Sequence, residues 1–448
     1  MLKGVARRVR ARCFLLPLCL VIAVGLGQEV IDSVDVGGPN VAGLTFNAKA
    51  GVVYGRCLYG ENFFALDCST NQVLAQIPLW EPNDVAYSAT SDKAYCTFFS
   101  YGEDSILVVD GSTQSRLYAL PMPGATSVIW DSVSDHLYVN CYVEDHVVVL
   151  DCQSDSVITR IPIDEPVAQT INTRWHKLYV HNDLDGSVAV IDMVTNQVSR
   201  TIHPGSNWYA SCYSEVADKY FCSGPPEGEG VAVIDGAGDS VIKQIRLPQG
   251  YSAEAMMAVD LESLVMVAAY GSGYDTVYTL DARRDSIVSS LVVGRNPAAL
   301  AFSLASGVVY CANSSSHSLT VIAADGTQVL SEVQVSDYPQ NLLVVPAFEK
   351  LYVGHSGETN MLYIVRDRVG ISESGQTRLT PPAIPAATLV GGRAFRYEGL
   401  GPASLVDACG REVHNIAVGN NDLSTLSPGV YVLVARPGVA PRKVVKLR

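Results

Sequence analysis

The side chains best suited to recognition lie in polar segments between apolar runs. One series of segments carries Trp80, Glu81, Trp208, Tyr209, Tyr251, Arg295 and Tyr338, and a second carries Tyr59, Tyr101, Glu103, Asp104, Tyr142, Glu144, Asp145, Tyr270, Tyr274 and Asp275. Aromatic rings among carboxylates suit a carbohydrate, a peptide or a cationic partner, through stacking, hydrogen bonding and cation–π contact. The competing use of such rings is mechanical, as plugs in a channel mouth or packing between neighbouring sheets. Trp80, Tyr101, Tyr142, Trp208, Tyr209, Tyr251, Tyr270, Arg295 and Tyr338 form the candidate ligand-binding set.

Signals for catalysis are sparse. The 8 His residues are scattered, and His181 and His355 fall near turns, where a lone imidazole is more often a surface or hydrogen-bonded group than a ligand. The chain has no Gly-rich phosphate loop, Gly-x-Ser-x-Gly elbow or His-Glu-x-x-His pair. The segment Asp183-Leu184-Asp185-Gly186 has a passing likeness to a calcium loop but lacks the later Glu at the required spacing. No catalytic residue, metal site or cofactor is therefore expected.

Apolar residues make up 48% of the 448-residue chain and charged residues 17%, a balance that excludes a disordered chain and suits much two-sided buried sheet. Residues 1–27 read as a signal peptide: Lys3, Arg7, Arg8, Arg10 and Arg12 precede an apolar run too short to span a membrane, with cleavage expected before Gln28. Secretion or cell-surface placement follows as an expectation. Residues 28–368 carry 17 Lys and Arg against 40 Asp and Glu, whereas residues 369–448 carry 9 against 5, so two differently charged parts are joined. An acidic body of this kind repels phosphate backbones, so nucleic acid is not an expected partner.

These candidates must be held by a repeated element. A unit of the form Lys177-Leu178-Tyr179-Val180-His181-Asn182, then Val188-Ala189-Val190-Ile191-Asp192, then Asn196-Gln197-Val198, recurs along the chain. The position of Asp192 is filled in turn by Asp67, Asp110, Asp151, Asp192, Asp235, Asp281, Ala323 and Arg366, at spacings of 43, 41, 41, 43, 46, 42 and 43. Each unit holds four short runs rich in Val, Ile, Tyr and Leu, separated by turn residues. Four strands in about 40–45 residues is the arithmetic of a propeller blade. The expected fold is thus an all-β, eight-bladed β-propeller over residues 28–368, seven blades being the alternative if one unit is misassigned. Each recurring Asp is expected to bond the backbone of the turn that follows it. The segment Glu29 to Gly37 matches the fourth-strand segment Ser286 to Gly294, and the last unit lacks that strand. The N-terminal segment is therefore expected to complete the final blade and remove two exposed edges.

The copies Tyr179-Val180-His181-Asn182, Tyr138-Val139-Asn140, Tyr310-Cys311-Ala312-Asn313 and Tyr352-Val353-Gly354 resemble the YVTN family of β-propeller repeats over residues 29–368. That resemblance implies the fold and a secreted or surface setting, and no particular reaction.

Residues 369–385 read as a linker, with Pro381, Pro382 and Pro385, and residues 386–448 as a small antiparallel β-sandwich. The order Asp407-Ala408-Cys409-Gly410-Arg411-Glu412-Val413, then Leu426-Ser427-Pro428-Gly429-Val430-Tyr431, then Lys443-Val444-Val445-Lys446, resembles the C-terminal sorting domain of type IX secretion substrates and the related FlgD-like immunoglobulin-type domain. The resemblance implies export or anchoring through secretion or cell-surface machinery.

Nine cysteines follow residue 27. Cys96, Cys222 and Cys311 each follow an aromatic at one repeat position and read as small core residues. Cys57/Cys68 and Cys141/Cys152 share a spacing of 11. Folding either pair about its hairpin leaves it about three positions out of register, roughly 10 Å apart and beyond bridging distance. Cys212/Cys222 is a closer diagonal pair, for which both a disulfide and free thiols stay open.

The innermost strand of a blade lines the channel, where catalytic propellers place metal ligands or acid/base groups. The expected inner strands, 41–46, 85–89, 127–130, 169–172, 209–213, 253–259, 298–302 and 341–345, contain no His and one acidic or basic residue, Glu254. A hydrolytic or metal site needs several converging groups. The reading is a non-catalytic binding or scaffold module for a protein, peptide or glycan. The alternative is a propeller enzyme such as a lactonase or a quinoprotein-like oxidoreductase.

Overall fold

A computed structural model describes residues 28–98, 105–205, 210–224, 230–248, 251–271 and 275–368, together with seven strands between residues 388 and 446. The signal-peptide and linker expectations lie outside the described residues.

Eight four-stranded antiparallel sheets form the propeller. Blades 1 to 8 begin with the inner strands Val41–Asn47, Pro82–Ser88, Ala125–Asp131, Pro166–Asn172, Ser211–Ser214, Tyr251–Val259, Pro297–Ser303 and Pro339–Val345. The count is eight, not seven. Burial follows position across a blade. The inner strand Val41–Asn47 is half-exposed along the channel, the third strand His146–Asp151 is buried through its apolar run, and the outer strand Gln197–Ile202 faces solvent almost throughout. The middle strands meet neighbouring blades on both faces, so they are continuous apolar runs and not alternating ones.

The ring closes as the N-terminal segment predicts. Strand Val30–Asp35 becomes the outer strand of blade 8, with Ser33 opposite Tyr363 and Val34 opposite Leu362. Glu29 Oε1 meets Arg366 Nη1 at 2.8 Å beyond the ladder.

Two recurring devices explain the repeat. The third-strand Asp accepts backbone N–H groups of the following turn: Asp67 from Ser69 and Thr70, Asp151 from Ser154, Asp192 from Val194 and Thr195, and Asp281 from Arg283 and Arg284. The residue four positions on adopts a left-handed backbone (φ 59° at Asn71, 53° at Asp155, 55° at Asn196, 52° at Asp239), a region Asn and Asp tolerate best among residues with side chains. Its side chain then receives the second strand of the preceding blade. Lys93 Nζ and Tyr95 OH of blade 2 both donate to Asp155 of blade 3, at 2.5 and 2.7 Å. Lys177 and Tyr179 of blade 4 do the same to Asp239 of blade 5, and Lys350 of blade 8 reaches Asn71 of blade 1 at 2.6 Å. The Lys-x-Tyr motif is thus a staple between blades, and its lysine spans the seam of the ring.

All eight described cysteines are buried free thiols. Cys212 stands opposite Phe221 and Cys222 opposite Ser211, without a bond. Cys57 stands opposite Asn62, while the amide of Cys68 binds the Gly51 carbonyl at the other end of the hairpin. The pair is therefore further out of register than the hairpin estimate of three positions, because the turn is tighter.

The C-terminal strands form a five-stranded sheet in the order Thr388–Val390, Arg442–Lys446, Gly429–Ala435, Ala403–Val406, Glu412–Ile416, and a two-stranded sheet of Ala394–Tyr397 with Gly419–Asp422. The first pair runs parallel, a departure from the expected all-antiparallel arrangement. No helix among the described residues is long and apolar enough to cross a membrane.

Candidate functional site

Loops from an outer strand to the next inner strand, and loops from second to third strands, share one face of the ring. Five of the loops before inner strands deliver a non-glycine last residue in a left-handed conformation: Asn40 (φ 58°), Glu81 (41°), Glu165 (40°), Asn296 (55°) and Tyr338 (49°). Pro82, Pro166, Pro297 and Pro339 follow four of them. Asn is at ease there, whereas a bulky ring is a genuine outlier. At Tyr338 the preceding Asp337 also has positive φ, 33°.

The candidate residues divide accordingly. Tyr338 is 46% exposed, with one side of its ring edge-on to His317 at 4.9 Å between centroids. The Tyr338 amide donates to His317 Nδ1 at 3.2 Å, which holds the backbone in its strained state. Trp80 and Tyr270 are 40% and 50% exposed, and Arg295 is exposed with its amide donating to Ser316 Oγ. Tyr142 is half-buried and donates to Asp183 Oδ2 at 3.1 Å, with Glu165 Oε2 at 3.5 Å, bridging blades 3 and 4. These two carboxylates push its phenol pKa upward, the Asp183 bond contributing most. Tyr251 opens the inner strand of blade 6 opposite Gly271. Tyr101, Trp208 and Tyr209 lie outside the described residues, as do Glu103, Asp104 and Tyr274.

One group converges on a cleft. At the seam of blades 8 and 1, Pro39, Tyr59, Asp337, Tyr338, Gly357 and Glu358 line a cleft of about 530 Å³. Tyr59 is 69% exposed there. Of the described members of the candidate set, only Tyr338 lines this cleft. Asp337, Glu358 and His317 escaped the sequence reading, because loops some 300 residues apart meet only after the N-terminal strand closes the ring. A second cleft of about 470 Å³ lies between the outer strands of blades 3 and 4, lined by Ile158, Arg160 and Val198 among others, without carboxylates.

The channel wall holds more charge than the sequence reading placed there. A β-bulge interrupts seven inner strands near their starts, as between Pro82 and Asp84 and between Ala253 and Ala255. It carries the strand of blade 2 back to Asp84, which the expected range of 85–89 omitted. Asp84 accepts from Val128 N at 3.1 Å and Ser127 Oγ at 3.2 Å on the next blade. Burial nevertheless pushes its carboxyl pKa up. Asn341 plays the same part toward Leu44 N at 3.4 Å. Arg56 donates to Asn83 O, Asn40 O and Asn40 Oδ1, and burial lowers its pKa. Glu254, at the bulge of blade 6, is raised by burial alone. Asp84 and Arg56 are therefore tied into backbone, as inter-blade connectors. Among the described residues no group of three or more His, Cys, Asp or Glu side chains could hold a metal ion.

No protein-family model matches the sequence, and no curated protein matches it. Solved structures match in fold. A chain of the "Mitotic Checkpoint Complex" superposes with TM-score 0.54 at 12% identity, covering 82% of this chain and 99% of that one. BamB from Moraxella catarrhalis gives 0.55 at 12%, covering 76% and 99%. The dihydro-heme d1 dehydrogenase NirN, in complex with DHE, gives 0.57 at 12%, covering 66% and 67%. At such identity the likeness speaks to fold alone.

Proposed function

We propose that this chain is an exported β-propeller that acts outside the cell or at its surface as a non-catalytic binding or scaffold module, engaging a protein, peptide or glycan through the loop face. The observation that carries the reading is the seam cleft, where two exposed tyrosines and two carboxylates converge on rigid loops. The repeat's likeness to YVTN propellers supports a secreted setting. The tail's likeness to type IX sorting and FlgD-like domains supports a role in export or anchoring. The matched folds include a dehydrogenase and a component of a protein complex by their own descriptions, so fold does not choose between catalysis and binding and the site must.

The enzyme reading, lactonase or quinoprotein-like, would have to use Asp84, Glu254 and Arg56 in the channel. Two of these are already engaged by backbone groups. Native mass spectrometry with elemental analysis, on protein purified without chelators, separates the readings. A chain free of stoichiometric metal or organic cofactor is expected. A stoichiometric redox metal or cofactor would overturn the binding reading and move the site to the channel.

A further inference from the structure

The seam cleft has a more specific chemistry than the rest of the loop face. Tyr59 and Tyr338 are the aromatic residues that line it, and its charged groups are Asp337 and Glu358. No basic side chain among the described residues lines it. Among the described residues neither carboxylate has a side-chain hydrogen bond or ion pair, in contrast to Asp155 or Asp239 on the opposite face. His355 bonds the carbonyls of Ser336 and Met361; burial lowers its pKa, while those two bonds and the nearby Asp337 act to raise it.

The cleft is also preorganised. A Cβ on Gly38 would lie 2.0 Å from Gly60 Cα, and one on Gly357 would lie 2.6 Å from Asp337 Cβ, so its loops cross in direct contact. Further bonds join Ser356 N to Tyr338 O at 3.1 Å and Asn40 N to Gly357 O at 3.3 Å. A rigid cleft loses little conformational freedom when occupied. Two carboxylates without a hydrogen-bond or ion-pair partner among the described residues, in a cleft that two tyrosines line, are complementary to a cation with an apolar stem: the rings would take the stem and the carboxylates its N–H donors. The surplus of 23 negative charges over residues 28–368 draws such a group in.

We propose that the seam cleft binds a lysine or arginine side chain of a partner polypeptide, held between Tyr59 and Tyr338 and paired with Asp337 and Glu358. This rests on the loop-face reading of the protein and names the ligand class for one part of that face.

The test is fluorescence anisotropy with a labelled Gly/Ser peptide carrying four lysines, against its counterpart with four norleucines, on the full chain. The lysine peptide is expected to bind about tenfold tighter. Tyr59→Ala with Tyr338→Asn, the latter suited to positive φ, should weaken it by about tenfold. Asp337→Asn with Glu358→Gln should weaken it similarly and flatten its salt dependence. Val194→Ser, 76% exposed on the opposite face, should leave it unchanged. Far-UV circular dichroism and the melting midpoint check that each variant is folded. Equal binding of both peptides, or lysine-peptide binding untouched by the seam variants, overturns the proposal. If binding then falls with Tyr142→Ala, the seam inference fails and the loop-face reading stands. If neutral glycans bind at the seam and the lysine peptide does not, the ligand class is wrong. If no probe binds at any loop-face residue, both readings fall.

Discussion

Removing the Asp155 carboxylate tests how the ring is held. Asp155 is buried and accepts from Lys93 Nζ at 2.5 Å, from Tyr95 OH at 2.7 Å and from Tyr118 OH. Its φ is 53°. In Asp155→Ala, Lys93 keeps the carbonyls of Cys152 and Gln153, at 3.0 and 3.3 Å, and Tyr95 keeps that of Cys152. The ammonium and hydroxyl are thus not stranded, and the loss stays below that of a fully orphaned buried charge. Losing hydrogen bonds to a charged group costs about 2 kcal/mol, and placing Ala in the left-handed region adds about 1 kcal/mol. The sum is about 3 kcal/mol. Asp155→Asn keeps an acceptor and the left-handed preference, as Asn71 and Asn196 do at their junctions. It should cost about 1 kcal/mol. Urea unfolding followed by intrinsic fluorescence reads both, and a double-mutant cycle with Lys93→Met isolates the pair. An Asp155→Ala midpoint equivalent to less than about 0.5 kcal/mol of loss, the range of an ordinary surface substitution, refutes the staple.

Three further outcomes follow from the same structure. His181 is buried against Tyr220 OH, and burial lowers its pKa from 6.5 to about 4. The unfolded chain then binds the extra proton first, so stability present above pH 6.5 is lost as pH falls toward 4, by about 3 kcal/mol. His181→Gln should flatten that slope in melting midpoints, and an unchanged slope would contradict the assignment. Deleting residues 28–36 bares the strand Met361–Arg366 as an open edge, so size-exclusion chromatography should show self-association that the synthetic segment relieves in trans. A Cβ at Gly354 would meet the Val41 carbonyl oxygen at 2.3 Å, whereas at Gly307 it meets open space. Gly354→Ala should therefore lower the melting midpoint more than Gly307→Ala, despite the positive φ of Gly307, and equal losses would contradict the packing at the seam.

The architecture was legible because one backbone event recurs after six of the eight third strands. The turn in those six units has a side-chain acceptor at its start and a residue tolerant of positive φ four positions later, so Asp67 to Asn71 and Asp151 to Asp155 repeat while other positions drift. The closing strand could be read because the segment Glu29 to Gly37 matches the outer-strand segment Ser286 to Gly294 and the last unit lacks such a strand. The parallel strand Thr388–Val390 was missed, since three residues behind a proline-rich stretch hold no period. Asp84 was missed because a bulge adds a residue that a simple alternation does not count. The loop face resisted for a different reason: its loops are under no common backbone demand. Trp80 and Tyr338 advertise themselves by type, but Asp337 and Glu358 become neighbours of Tyr59 only through closure of the ring.

The central claim is that the loop face binds a macromolecular ligand, and an array of glycans and peptides probed with the full chain tests it most directly. Wild-type protein and a Val194→Ser control should mark the same set of probes, and a Tyr59→Ala/Tyr338→Asn/Trp80→Ala variant should lose that set while keeping its circular dichroism spectrum. A set of bound probes unchanged by the loop-face substitutions, or lost on Val194→Ser, would contradict the account.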